Sequence, residues 1–590
     1  MFRRSVLPGW LGVALLAALS AVVMTGSATV TAEPHGGDPT GRFDRPQQGF
    51  ASPRTVLRDG SPRSVGLDPA PIEEALGRID AWTRTHPTPN TNHPLYSGAV
   101  TLLAHDGVVV SRASTGYAVR YADGAGTELA DADKVAMRDD TIFDMASVSK
   151  LFTSVLVMQL VERGEVDVAA PVATYLPEFG VNGKESITVA QLLTHTSGLV
   201  SWLPLWSAYP DIPARIKAVM DVAPHNPPGT KYEYSDLNLI TLGVMVERLT
   251  GKPLDEVVAD RITRPLGMVD TGYNPPAAKL DRVAATEFQT SPPRGMVRGS
   301  VHDENAWSLG GVAGHAGVFS TAGDMAILAQ TILNGGAYRG HRILREDTVA
   351  TMLENHNEAF PGNDHGYGFE LNQIWYMGGL SGAHTAGHTG YTGTDVVIDP
   401  ASRSFAILLT NRVHPSRSWG SINLAREALC TGLAKALAVA PEHGRDAWYT
   451  GIGDAARATL TTVPLHPGGP VRVNFDAFVD SESTDLLVLE SSTDGTTWTA
   501  VPLSVSGRGA PDETVNALSG SGHRAWWKVR AQLPHAAEIT LRWRFTTDAR
   551  YTGRGISLDG ITVTDRVQTL LNGEKEPHKV QASGWQLRSR

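Results

Sequence analysis

Apolar and polar positions change their period along the chain, and the changes mark its elements. "PAPIEEALGRIDAWTRT" (69–85) has apolar residues at helical spacing with proline near its start, which predicts a helix. "SGAVTLLAHDGVVVSRASTGYAV" (97–119) predicts two strands around a turn at Asp106-Gly107. "KLFTSVLVMQLVERG" (150–164) predicts an apolar helix that stops at Gly164, and "LNLITLGVMVERLTG" and "AGDMAILAQTILNGG" predict two more. "GTDVVIDPASRSFAILLTNR" (393–412) predicts a second hairpin that turns at Pro400-Ala401-Ser402. Strands first, helices between and strands last imply one α/β sheet built from both ends of a domain over 63–440.

The pattern changes after "GRDAWYTGIGD" (444–454). In "EITLRWRFTTD", Ile539, Leu541, Trp543 and Phe545 alternate with polar residues, as a half-buried strand requires. "VRVNFDAFV", "DLLVLESSTDG" and "ISLDGITVTD" add short strands between turns, so 455–566 reads as a β-sandwich. Residues 33–62, rich in Pro, Gly, Arg and Asp, read as an exposed linker, 441–454 as a second linker, and 567–590 as a polar tail.

Composition narrows the function. The 590 residues are 42% hydrophobic, enough for large cores, and carry a formal charge of −10 without a basic run, which argues against a nucleic-acid partner. Arg3 and Arg4 followed by "GWLGVALLAALSAVVM" (9–24) and Val30-Thr31-Ala32 have the form of a cleaved signal peptide over 1–32, so the expected location is secreted. The paired arginines leave Sec and twin-arginine export both open. The single cysteine, Cys430, cannot form an internal bridge and reads as a small core residue of a helix.

The candidate chemistry begins in "FDMASVSK" (143–150). A helix starting near Ser147 puts Ser147 and Lys150 on one face, three residues apart, whereas Ser149 points about 100° away. A serine hydroxyl needs a base, and a lysine serves only when neutral, so burial and the positive helix end should lower its pKa well below ~10.4. Downstream stand "PPGTKYEYSDLNLITLG" and "GHTGYTGTDVVIDP", together with "LLTHTSGL", "LVERGEVDVAAPVATYLPEF" and "VHDENAWSLGGVAGHAGVFSTAGDMA".

In that order these motifs resemble the penicillin-recognising serine hydrolases: class C β-lactamases, D-amino-acid peptidases and related esterases. The resemblance spans about 63–440 and implies a β-lactamase/transpeptidase-like sheet flanked by helices, with an all-helical region beside it. It makes Ser147 the acylated nucleophile, Lys150 its proton acceptor and Tyr234 the proton shuttle, whose pKa a neighbouring ammonium should lower. It also places the oxyanion hole at the backbone N–H groups of Ser147 and Tyr391, with His388 and Gly390 on an edge strand along the substrate.

Two positions depart from the pattern. Asp236 stands where the family usually has Asn, and could either hold Lys150 protonated or orient it. His388-Thr389-Gly390 stands where β-lactamases commonly have Lys-Thr-Gly, and a mostly neutral histidine suits a substrate carboxylate less than a permanent cation. "HDEN" (302–305) and His315 look like metal-ligand material, but without a His-Glu-x-x-His they read as loop-shaping, and His195 as fixing a turn; no metal or cofactor is expected. The resulting expectation is an exported serine hydrolase acting on cell-wall D-amino-acid peptides or small amides and esters. The alternatives are a true β-lactamase and a catalytically silent wall-binding or sensor protein. The sandwich loosely resembles jelly-roll accessory modules, which implies possible glycan binding; Trp526, Trp527 and Trp543 could stack sugars, although core packing is the default for tryptophan. Asp559 alone is no calcium site.

Overall fold

The strand Gly98–His105 is buried at every position because its two faces feed two different cores. Val100, Leu102 and Ala104 enter one, and Ala99 and Leu103 enter the other. That is why the stretch reads as a nearly continuous apolar run instead of an alternation. Its partner Val108–Val119 follows a turn in which Asp106 (φ 46°) and Gly107 (φ 76°) both take left-handed conformations. Two such residues give the turn whose twist matches a tight hairpin.

In the computed structural model, which describes residues 42–589, this hairpin lies in an eight-stranded sheet with strands from the far end of the domain. The order runs 58–59, 108–119, 98–105, 404–410, 394–399, 386–390 and 370–371, with 135–136 paired to 108–119. Ser404–Thr410 pairs antiparallel with His105 through Ala99, so the expectation of one sheet made from both ends is met. The helices Pro69–Ala81 and Asn423–Ala436 share the core on one face, and the helical region containing Ser149–Glu162 and Ala322–Leu333 covers the other. Thr321 caps Ala322–Leu333 through its side chain, and Gly251, left-handed, ends Asp236–Thr250. Cys430 is buried in the first of these cores.

The C-terminal part is a second, strand-rich region of two sheets around its own core. One sheet has seven strands, including Val471–Asp480, Trp526–Leu533 and Gly555–Thr564; the other has five, including Leu486–Ser492 and Thr540–Thr546. Ile539, Leu541, Trp543 and Phe545 all point into that core. Trp527 and Trp543 are buried there too, while Trp526 meets Phe478 edge-on at 5.8 Å and donates to the Ala440 carbonyl. The three tryptophans therefore form no open sugar-stacking face.

Three stretches expected to be loose carry structure. Within 33–62, Phe43 is buried under the guanidinium groups of Arg524 and Arg554, and Arg58–Asp59 forms a parallel strand on the main sheet. Ala447–Thr450, within 441–454, pairs with Gly555–Thr564 and Gln586–Arg588. Within 567–590, Thr569–Asn572 and Gln586–Arg588 join the seven-stranded sheet and Val580–Ser583 joins the five-stranded one. Backbone pairing holds these segments, and it leaves little trace in a polar, proline-rich composition. Residues 1–41, which include the expected signal peptide, lie outside the described residues. Among those described, no helix is long and apolar enough to cross a membrane.

The seam between the two parts contains a buried ion pair, Arg524 Nη1 to Asp399 Oδ2 at 2.8 Å, with both side chains almost fully enclosed. Arg524 Nη2 also donates to the Leu380 carbonyl at 2.6 Å. Replacing Arg524 with Met leaves the enclosed Asp399 side chain without its cation. The expected cost is about 3–5 kcal/mol in chemical denaturation, the usual penalty for breaking a buried pair from one side.

Candidate active site

Of the ten residues 141–150, Ser147 alone is not buried. The short strand Phe143–Asp144 ends there, and a 3-10 turn Ala146–Val148 leads into the helix Ser149–Glu162. Ala146 takes φ 46°, a left-handed conformation that costs an L-residue of order 1–3 kcal/mol. The Asp144 carboxylate supports the turn by accepting from Ala146 N at 2.9 Å and from His302 N at 2.6 Å. Ser149 points inward and accepts from Val318 N at 3.0 Å, so its hydroxyl is structural.

Lys150 is almost completely buried. Its Nζ donates to Ser147 Oγ at 2.9 Å and to the His315 carbonyl at 3.1 Å, and lies 2.7 Å from Asp236 Oδ1. The Tyr234 ring stands 5.0 Å from the same Nζ. Burial disfavours the ammonium, but the Asp236 carboxylate and the Tyr234 phenol beside it outweigh that effect and hold the Lys150 pKa above its ordinary value. The expectation of a lowered lysine pKa is therefore corrected, and the physical reason is Asp236, the first residue of Asp236–Thr250. Tyr234 departs from expectation in the same way. Burial pushes its phenol up to about 12, against the lowering effect of Lys150.

The His388-Thr389-Gly390 strand closes the other side. Outward pairing with Glu370–Leu371 reaches only Ala386 and Gly387, so the His388–Gly390 half is the exposed sheet edge. A Cβ on Gly390 would lie 2.0 Å from Thr394 Oγ1 and 2.5 Å from the Met145 carbonyl. The glycine is needed for close approach to the serine turn itself. Thr392 and Thr394 hydroxyls donate to the Asp144 and Met145 carbonyls at 2.7 and 3.0 Å, pinning the turn to the strand. His388 is buried, its Nδ1 on the Thr389 carbonyl and its Nε2 without a partner; burial, then Lys150, lower its pKa to about 3, so it is neutral. Tyr391 is half exposed, with the Arg412 guanidinium 4.5 Å from its ring.

Ser147, Tyr234, His388, Gly390 and Tyr391 line one cleft of about 650 Å³, with Lys150 and Asp236 behind its wall. Several lining residues carried no motif. Burial pushes the Glu370 carboxyl up to about 7, and its Oε2 has no partner. Arg426, from Asn423–Ala436, grips the Gly390 and Thr394 carbonyls at 2.9 and 3.1 Å. His195, at a positive φ after a short helix, accepts from Ser235 N at 3.1 Å and lies 4.4 Å from the Tyr234 ring. It sits at a turn after a helix, but its ring bonds away from that turn, to Ser235 beside Tyr234, and so braces the Tyr234 segment. "HDEN" does more than shape a loop: Asp303 Oδ1 receives His315 Nε2 at 2.9 Å, and Asp236, Asp303 and His315 bring ligand-type atoms within 4.8 Å of one another. The Lys150 ammonium reaches this group through Asp236 Oδ1, 2.7 Å from its Nζ.

The family model described as Beta-lactamase matches residues 92–430. The chain belongs to the beta-lactamase family. This beta-lactamase-family chain is 33% identical over 400 residues to a putative D-alanyl-D-alanine carboxypeptidase of Salmonella schwarzengrund (strain CVM19633), covering 62% of this chain and 88% of that protein. A protein of the same description from Escherichia coli O157:H7 is 32% identical over 397 residues, covering 61% and 86%. Among solved structures, a novel penicillin-binding protein homolog from Caulobacter crescentus matches with a TM-score of 0.48 at 21% identity, over 62% of this chain and 99% of that one. EstCE1, a hydrolase with promiscuous acyltransferase activity, matches with a TM-score of 0.48 at 20% identity, over 61% and 99%. As a beta-lactamase-family protein it is a serine hydrolase with a mixed α/β fold.

The Asp236–Lys150 pair has a consequence for stability. A lysine whose folded pKa is raised contributes stability that is fully present below the unfolded value of about 10.4 and is lost as pH rises through the folded value. Asp236→Asn is expected to destabilise the protein by about 3 kcal/mol at neutral pH, since it strands a buried ammonium. Without Asp236, burial lowers the Lys150 pKa, so the deficit should shrink once pH passes that lowered value and the enclosed amine can shed its proton. Denaturation curves of both proteins across pH 6–11 check it.

Proposed function

We propose that the protein is an exported hydrolase that forms an acyl-enzyme at Ser147 on cell-wall D-amino-acid peptides or on small amides and esters. The observation that carries the reading is the hydrogen bond from Lys150 to the one accessible residue of the serine turn, at the floor of a cleft. The D-alanyl-D-alanine carboxypeptidase description of the relatives supports the peptide substrate. The Arg3-Arg4 and apolar 9–24 stretch supports export.

Arg412 supports a substrate with a free carboxylate. It lines the cleft, and its hydrogen bonds go to the Tyr391, Arg417 and Gly420 carbonyls, with no carboxylate partner. Arg417 is already paired with Glu287 and Glu304. With His388 neutral and Arg426 buried on the Gly390 and Thr394 carbonyls, Arg412 is the cation best placed to meet an anionic end group.

The proton inventory sets the mechanism. The resting ammonium of Lys150 cannot accept a proton until it passes one to Asp236, 2.7 Å away. The freed amine then takes the Ser147 proton as Oγ bonds to the substrate carbonyl carbon. The backbone N–H groups of Ser147 and Tyr391 receive the developing oxyanion. As the C–N or C–O bond breaks, the leaving atom takes a proton from Tyr234, which is refilled from Lys150. Water then enters by the reverse sequence, leaving the acid product and a free serine.

Incubation with a fluorescent penicillin and with an activated-ester probe, followed by peptide mass spectrometry, tests the assignment. One acyl adduct on the peptide containing Ser147 is expected, absent in Ser147→Ala and slowed roughly 10²–10⁴-fold in Tyr234→Phe. Labelling that survives Ser147→Ala, or none across a panel of esters and D-peptides, rejects it.

A further inference from the structure

Far from the cleft, at one end of the strand-rich C-terminal region, acidic side chains gather without cations to balance them. Glu482 and Asp485 lie in the crossover that leaves Val471–Asp480 in the seven-stranded sheet and enters Leu486–Ser492 in the five-stranded one. Asp548 follows Thr540–Thr546. One oxygen from each of the three lies within 4.8 Å of the other two. Asp454 adds its field to Asp485, and Glu427, on the helix Asn423–Ala436, feels both Asp454 and Glu482. Among the described residues none of these five carboxylates takes part in an ion pair; Arg550, exposed, acts on Asp548 through its backbone N–H and at longer range.

The second observation is the state of Asp485. Its side chain is fully buried, Oδ1 accepts from Asp548 N at 2.9 Å, and Oδ2 has no partner. Glu482 Oε1 is likewise enclosed and unpartnered. A carboxylate oxygen taken out of water is costly unless it is hydrogen-bonded or paired with a cation, so natural folds seldom leave one alone. Like charges around it add to the cost: burial first, and then Asp548 and Asp454, push the Asp485 carboxyl up to about 6.

We propose that Glu482, Asp485 and Asp548 bind a calcium ion. Three carboxylates and no nitrogen or sulfur ligand select a hard cation, and calcium accepts an irregular set of oxygens at about 2.3–2.6 Å with water completing the shell. Magnesium demands near-octahedral geometry and holds its waters, which suits a set of loops less well. The ion ties the crossover of one sheet to the end of a strand in the other. The proposal does not depend on the chemistry assigned to Ser147.

The test uses the full chain, stripped with EDTA and titrated by calorimetry with calcium chloride and, separately, magnesium chloride, with thermal melts in parallel. One calcium per chain with a dissociation constant between about 10⁻⁶ and 10⁻³ M and a raised melting temperature is expected. Glu482→Gln and Asp548→Asn should each weaken binding about tenfold or more. These variants avoid the buried Asp485, and Glu482→Gln in EDTA should melt no lower than the parent because it removes a repulsive charge. No binding up to about 10 mM calcium, binding unchanged in both variants, or tighter binding of magnesium overturns the proposal.

Discussion

The site depends on one buried ammonium. Lys150 is enclosed by the helix it belongs to, the His315 carbonyl, the Tyr234 ring and the Asp236 carboxylate, and its open direction is Ser147. A charge in such a place needs a partner, and Asp236 meets that need at 2.7 Å. The same partner decides which protons the site holds at rest. The lysine is charged and the phenol of Tyr234 is neutral, so neither is a waiting base. Deprotonating serine becomes a shift within an existing ion pair, and no free charge has to form in the interior.

The fold is arranged around holding that group. The main sheet brings Ala386–Gly390 against the serine turn, and Gly390 is where a side chain would collide with Met145. Thr392 and Thr394 staple the strand to the turn, and Arg426 grips the strand from the far face through its carbonyls. His195 packs against Tyr234 and anchors the backbone at Ser235, one residue before Asp236. The strained φ of Ala146 fits this picture, since rigid neighbours on both sides are what hold such a conformation in place.

Much of this was legible in the residues. The two hairpins, the helices with capping signals and the alternation of 539–545 carry local patterns, and the structure follows them. Ser147 and Lys150 were legible because three residues on a helix share a face. The direction of the lysine pKa was not, because burial and a carboxylate act oppositely and only the 2.7 Å contact says which one wins. Asp236 was visible as an oddity, but its effect depends on distance. Glu370, Arg412 and Arg426 were invisible because they reach the cleft from separate elements and belong to no motif. The strands at 447–450, 569–572, 580–583 and 586–588 were missed because pairing with distant partners, and not apolar content, makes them strands.

The central claim is that the resting site contains a charged Lys150. The most direct measurement is an NMR titration of the lysine side chains, with the Lys150 signal assigned by its loss in Lys150→Arg. Lys150 is expected to remain an ammonium at least to pH 10, with its pKa falling in Asp236→Asn. A Lys150 that titrates near pH 7–8 in the unsubstituted protein would contradict the account.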